Sequence, residues 1–184
     1  MNFNKIFYGT TPKLMRSNQR GFTIIELMIT ILVLAILVAV AAPSFTRQIQ
    51  NNRVLAIADE LQGAFALARS EAIKRAAAVS VCASSDGLAC GANWNEGFIV
   101  FVDGTLSGAG TPVVDEVLQV WGAPDGAPQF VADQDFVRFI ATGVNTSGAL
   151  EFDVYFEGCT GSEAARKIVV GPSGMTTVSR LECP

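Results

Sequence analysis

Glu26 is the residue of this chain whose chemistry fits its surroundings least. From Ile24 to Ala42 every other side chain is Ile, Leu, Val, Ala, Met or Thr, so one carboxylate sits near the start of an unbroken apolar run that ends at Pro43. The run has the length of a helix crossing a hydrocarbon core. A charge in such a span costs roughly 2.5–3.5 kcal/mol near its centre and less near its ends. Such a carboxylate either has a partner or lies at the headgroup level and snorkels to water.

Other groups with reactive chemistry are few. The chain has no histidine, which removes the commonest general base and metal ligand. Ser84-Ser85-Asp86 and the pair Asp133/Asp135 are the nearest approaches to reactive clusters. Without a histidine to activate them they read as turn and loop residues, and two acids alone are too few for a calcium shell. No catalytic residue, metal site or cofactor is expected. Cys82, Cys90, Cys159 and Cys183 form an even set that suits an oxidising compartment. Of the three possible pairings, Cys82–Cys90 would close a short loop and Cys159–Cys183 would tie the C-terminus to the domain. The second closure is worth about 3 kcal/mol by the loop-entropy relation. A zinc site is the competing reading, but no Cys-x-x-Cys pair supports it.

The segments around the apolar run decide its orientation. Met1 to Gly21 carries Lys5, Lys13, Arg16 and Arg20 and no acid. Basic residues beside an apolar span stay on the cytoplasmic side, so everything after Pro43 is expected to be exported. Ala39-Val40-Ala41 could serve as the cleavage site of an ordinary secretory signal. The length of the run, the embedded Glu26 and the placement of Gly21-Phe22 before it argue against that. Beyond the leader about 160 residues remain, enough for an anchor and one domain. They hold nine basic against seventeen acidic residues, so no broad basic face for nucleic acid is expected.

Gly21-Phe22-Thr23-Ile24-Ile25-Glu26-Leu27, with its basic leader and apolar sequel, resembles the class III signal of type IV pilins and type II secretion pseudopilins. The resemblance implies that residues 1–21 are a leader removed by prepilin peptidase, with cleavage between Gly21 and Phe22 and N-methylation of Phe22. It further implies that 22–43 is a transmembrane and later filament-core helix. Glu26 would match the family's assembly glutamate and Pro43 the proline that commonly interrupts the helix. A buried Glu26 could then pair with the free amine of Phe22 on a neighbouring subunit and set its axial register.

Past Pro43, apolar residues recur at Val54, Ile57/Ala58, Leu61, Ala64/Phe65, Ala68 and Ala72, which is helical spacing. One helix from Phe22 to about Ala77 is expected, roughly 80 Å long. It is apolar all round in its first half and amphipathic over 44–78, with a kink or local break at Pro43. From Val79 the pattern turns to short β-type runs: 79–83, 98–103, 117–121, 136–141, 150–156, 167–170 and 176–181. Gly, Asp, Asn and Pro punctuate them. The expected fold is α+β: a long N-terminal helix packed on an antiparallel sheet, with a disulfide-tied head over 79–184; the resemblance implies that this is the type IV pilin fold. Trp94, Phe98, Trp121 and Phe152 read as core.

Ala68-Arg69-Ser70-Glu71-Ala72, the strand at Val79–Cys82 and Trp94-Asn95-Glu96-Gly97-Phe98 are similar to a FimT/GspH-type domain. Arg69 and Glu71 read as a solvated helix face or a salt bridge to the head, in preference to a partner contact. The resemblance implies a structural minor pilin, not an enzyme, that helps initiate or cap a type IV pilus and supports twitching motility. The alternative is the equivalent minor pseudopilin of a type II secretion system. The implied partners are prepilin peptidase, other pilins or pseudopilins, the inner-membrane assembly platform and the lipid bilayer. The implied location is the bacterial inner membrane, N-terminus cytoplasmic and head periplasmic, and then the pilus or pseudopilus. DNA-binding members of this group carry a C-terminal Gly-Arg-x-Arg motif. Here the corresponding hairpin reads Gly174-Met175-Thr176-Thr177 with only Arg180 nearby, so nucleic acid is not an expected partner.

Overall fold

The computed structural model describes residues 21–105, 110–161 and 165–184; apart from Gly21, the expected leader lies outside the described residues. The chain divides into two compact units, Met1–Ala42 and Pro43–Pro184. One helix, α1 (Ile24–Arg75, 52 residues), contributes to both. In the first unit its apolar side chains point outward all round, with Ile24, Leu27, Ile31, Leu34 and Leu37 all exposed. It is long and apolar enough to cross a membrane, and none of its apolar window is buried in the structure. The backbone stays helical at Pro43, so the break expected there does not occur. Proline removes one donor from the ladder, and a helix of this length keeps its assignment without that bond.

In the second unit α1 is amphipathic in the way its spacing predicts. Val54, Ala58, Leu61, Ala64, Phe65, Ala68 and Ala72 are fully buried. The alanines add little bulk to this stripe, and Phe65 is its largest fully buried side chain. Lys74 and Arg75 lie in the last turn, where positive charge suits the carbonyl end of the helix dipole. The stop is a Schellman-type cap: the Ala77 N–H donates to Ala72 O at 3.3 Å, and Ala76 takes φ +51°. Glycine usually holds that left-handed position.

Among the described residues the head has eight strands in two antiparallel sheets. They are β1 (Val79–Ala83), β2 (Gly97–Asp103), β3 (Val114–Gly122), β4 (Gln129–Ala132), β5 (Phe136–Phe139), β6 (Leu150–Tyr155), β7 (Ala165–Val170) and β8 (Thr176–Leu181). The first sheet has the order β3-β2-β1-β5 and the second β4-β6-β7-β8. Every run expected from sequence is a strand, with ends moved by up to three residues. Strand β4 and the division into two sheets were not expected. After β3, Pro124 and Pro128 interrupt the chain and cannot donate to a ladder; the short β4 that follows pairs with β6 instead.

One core joins both sheets to the helix: Val81, Val100 and Phe139 from the first, Phe152, Val154 and Ile168 from the second. Phe65 meets Phe152 with ring centroids 5.4 Å apart, and Trp94 meets Phe152 edge-on at 4.9 Å. Trp94 and Phe98 are buried and Trp121 packs against the same core. The other face of the first sheet carries a smaller cluster of Cys82, Ile99 and Phe101. A short 3-10 turn, Trp94–Glu96, leads into Gly97 at φ +121°, where a Cβ would collide with the Trp121 and Ser84 carbonyls. The Trp-x-x-Gly spacing therefore anchors an indole and lets two strands close beside it.

Two substitutions probe this core. Phe65→Ala should cost about 3–5 kcal/mol, because a fully buried ring at the junction of three layers leaves a cavity. Ala76→Gly should stabilise by about 0.5–1 kcal/mol, since relief of the left-handed strain exceeds the added freedom of the unfolded chain. Denaturant titration of the full chain in detergent checks both; an Ala76→Gly variant less stable than the parent would contradict the cap assignment.

Candidate functional site

At the start of α1 the chain builds its own cap. The Glu26 N–H donates to Thr23 Oγ1 at 3.2 Å, and the Leu27 N–H donates to Thr23 O at 3.1 Å. Thr23 is thus the N-cap and Glu26 the third helical residue, the Thr-x-x-Glu spacing of a capping box. Sequence reasoning treated Glu26 as a lone carboxylate and missed this, although the spacing was visible. A negative group in the first turn also faces the positive end of the helix dipole. Gly21 and Phe22 lie exposed just ahead of the cap.

In the head the structure joins Cys82 to Cys90 and Cys159 to Cys183. The first bridge closes the loop that holds Ser84-Ser85-Asp86. Asp86 accepts from the Leu88 and Ala89 amides at 2.8 and 3.0 Å and from Ser84 Oγ at 3.2 Å. The Leu88 and Ala89 amides hold its carboxyl below the usual range. These residues are engaged in a turn. Asp133 accepts from the Glu151 amide at 3.2 Å, extending the β4–β6 ladder. Among the described residues no three acids, cysteines or histidines gather as a metal site.

The strongest electrostatic site was not foreseen. Asp103, at the end of β2, and Arg138, on β5, form an ion pair at 2.6 Å with side chains only 0% and 3% exposed. Asp103 also accepts from Ser80 Oγ at 2.7 Å, Thr105 Oγ1 at 2.6 Å and the Thr105 and Val113 amides at 3.0 and 3.1 Å. Arg138 in turn donates to Gly110 O at 3.2 Å and lies over the Phe136 ring. Burial pushes the Asp103 carboxyl up, but the bonds from Thr105, Ser80, Arg138 and Val113 outweigh it and bring it to about 2. Nothing in the sequence marks this pair, because the partners are 35 residues apart and meet only through strand order.

At the C-terminal end of α1, Glu71 pairs with Lys74 at 3.0 Å and Arg75 at 2.9 Å. Arg75 continues to Glu116 of β3 at 2.8 Å. The Arg75 guanidinium, then the Lys74 ammonium, hold Glu71 below the usual carboxylate range. Arg69 is half-buried and donates from Nε to Gly143 O at 3.1 Å. Nothing here resembles an acid–base or nucleophile pair in an enclosed pocket.

Comparison with known proteins gives the same frame. Residues 58–174 match the family described as type II transport protein GspH, and residues 16–42 match the prokaryotic N-terminal methylation motif. No curated protein matches the chain. Among solved structures, the fold is similar to the type IV minor pilin FimU of Pseudomonas aeruginosa, with TM-score 0.56 and 20% identity over 70% of this chain and 89% of that one. A second crystal form of FimU gives TM-score 0.53 and 19% identity over 68% and 91%. The minor pseudopilin EpsH of Vibrio cholerae is a more distant likeness, TM-score 0.46 and 13% identity over 71% and 97%.

The buried pair carries a prediction. Asp103→Asn should cost about 3–5 kcal/mol by leaving the Arg138 guanidinium without its counter-charge. Because the native Asp103 pKa of about 2 lies below the ordinary 3.8, the unfolded chain binds the extra proton. The stabilisation is therefore complete above about pH 4 and lost as pH falls toward 2. Denaturation midpoints measured between pH 7 and 2 should fall through that window in the parent and show a smaller fall in Asp103→Asn.

Proposed function

The chain belongs to the GspH family of type II transport proteins, and on that premise we propose that it is a structural minor subunit that helps to initiate or cap a type IV pilus, supporting twitching motility. One observation carries the reading: a methylation motif opens a helix that is apolar on every side, and the same helix ends as the buried spine of a disulfide-closed head. Such a chain needs one environment for its first half and supplies its own for the second. A lipid bilayer meets the first need before assembly, and a bundle of like helices meets it afterwards.

In this reading prepilin peptidase cuts between Gly21 and Phe22 and the new Phe22 amine is methylated. Residues 22–43 then anchor the subunit in the inner membrane, with its N-terminus cytoplasmic and its head periplasmic, beside other pilins and the assembly platform. Glu26 is the one carboxylate of the span, and it stands in the first turn, where its backbone amide donates to Thr23. Transfer into a filament core removes its water, and a neighbour's Phe22 amine replaces it as counter-charge. The match to the GspH family supports a second reading with the same chemistry, a minor pseudopilin of a type II secretion system.

Two measurements test the proposal. A strain lacking this chain should lose pilin from its sheared surface fraction and recover it with the wild-type gene; unchanged pili would shift the weight to secretion. Glu26→Ala should be cleaved like the parent, seen as the same mobility shift on an immunoblot, yet be depleted at least about tenfold from the sheared filament, given an unpaired buried charge's cost of several kcal/mol. Normal incorporation of that variant would sink the pairing role.

A further inference from the structure

Arg69 lines an open groove in the head. The groove, of about 410 Å³, lies between the C-terminal part of α1 and the turn joining β7 to β8, and its walls include Gln62, Ser70, Ile73, Met175 and Thr176. Among the described residues no carboxylate lines it. Arg69 spends one donor on Gly143 O at 3.1 Å, and no acid pairs with it among the described residues. The Ser70 hydroxyl already donates to Leu67 O at 2.9 Å. Beside the guanidinium, Ile73 and Met175 are 51% and 62% exposed.

Gly143 and Gly174 take φ +77° and +75°; a Cβ on Gly143 would meet Ile73 first and then Arg69, and one on Gly174 would collide with Gly143 O and then press on Arg69. The loops after β5 and after β7 thus close on each other and on α1 around this side chain only because both positions lack a Cβ. The Arg69 side chain lines the groove and donates from Nε to one neutral carbonyl. A half-desolvated cation in that state is poorly compensated, and a planar fork of donors suits a carboxylate better than a point cation does.

We infer that this groove docks a polypeptide segment that presents a carboxylate beside a branched apolar side chain. The carboxylate pairs with Arg69, and the apolar group lies between Ile73 and Met175. Charge complementarity selects this occupant. The chain beyond the leader is acidic overall, so most of its surface repels an approaching acid, and a groove whose described lining holds Arg69 and no carboxylate gives it register as well as attraction. A nucleic-acid strand would need several cations along its phosphates, whereas the groove offers one cation between apolar walls. The inference rests on the groove's chemistry and does not depend on which assembly receives the subunit.

The test uses the full chain in detergent micelles with its four methionines methyl-labelled. The probes are acetyl-Leu-Glu amide, acetyl-Leu-Gln amide and a short oligothymidylate; shifts at the Met175 methyl locate binding and anisotropy of labelled peptides gives affinity. The Glu peptide should shift Met175 saturably and bind about tenfold more tightly than the Gln peptide, as a charge-assisted bond implies. Arg69→Gln should level the two. Met175→Ser, at an exposed position outside the core, should weaken both about threefold while keeping the preference for Glu. Equal affinity for the two peptides, no shift at Met175, or tighter binding of oligothymidylate would each overturn the inference. So would Met175→Ser binding like the parent, whatever Arg69→Gln does to folding.

Discussion

The head depends on one burial: the stripe of α1 from Val54 to Ala72 against the inner faces of both sheets. Both sheets contribute large apolar side chains to the one core that this stripe joins. The packing is made possible by the alternation of small and large residues on that stripe. Ala58, Ala64, Ala68 and Ala72 are buried without bulk, while Leu61 and Phe65 supply the large buried side chains of the stripe. Phe65 on Phe152, with Trp94 edge-on to the same ring, places one aromatic cluster where helix, second sheet and the turn before β2 meet. Removing the helix would expose both inner faces together, so the sheets share one cooperative fate.

The same helix carries an opposite pattern in its first unit. There no face is polar, so no arrangement of this chain's own head could leave a solvated side. The exposure of Phe22, Ile25, Leu32 and Leu37 is far more than a water-facing surface tolerates. Within this stretch Glu26 is placed where it costs least: in the first turn, beside its Thr23 cap, at the positive end of the dipole. The placement keeps a carboxylate available for pairing without setting it at the middle of the span.

Much of this was legible in the sequence, because it rests on short-range pattern. The buried stripe follows a period of 3.6, the strands alternate or run apolar between turn residues, and the methylation signal is a contiguous string. What escaped detection is long-range or positional. Strand β4 is four residues long and follows Pro128, too short for a period to register, and its existence depends on β6 lying alongside. Asp103 and Arg138 look like ordinary surface charges in sequence, since a turn follows the first and alternation surrounds the second. Only the order β2-β1-β5 brings them into one buried site across Ser80. The Thr23 cap is the exception: its spacing was in plain view, masked by attention to the charge it carries.

The two ends of the head are held by different chemistry. Strand β1 leaves the helix end at Val79 and arrives at Cys82, so its disulfide closes the far end. The Cys159–Cys183 bridge lies toward that end as well, next to the start of β7, where Arg166 reaches Asn51 on the helix at 3.0 Å. At the end where α1 stops, no covalent link is present among the described residues. Order there comes from Asp103 accepting five bonds around Arg138 and from Arg69 on the loop after β5. Buried ion pairs seldom add much net stability over an apolar filling, but they fix one geometry, because each alternative strands a charge. Loops pinned by arginines can therefore present a defined groove without a rigid tie. It is at this non-covalent end, with Arg69 only partly satisfied, that the fold leaves binding capacity unused.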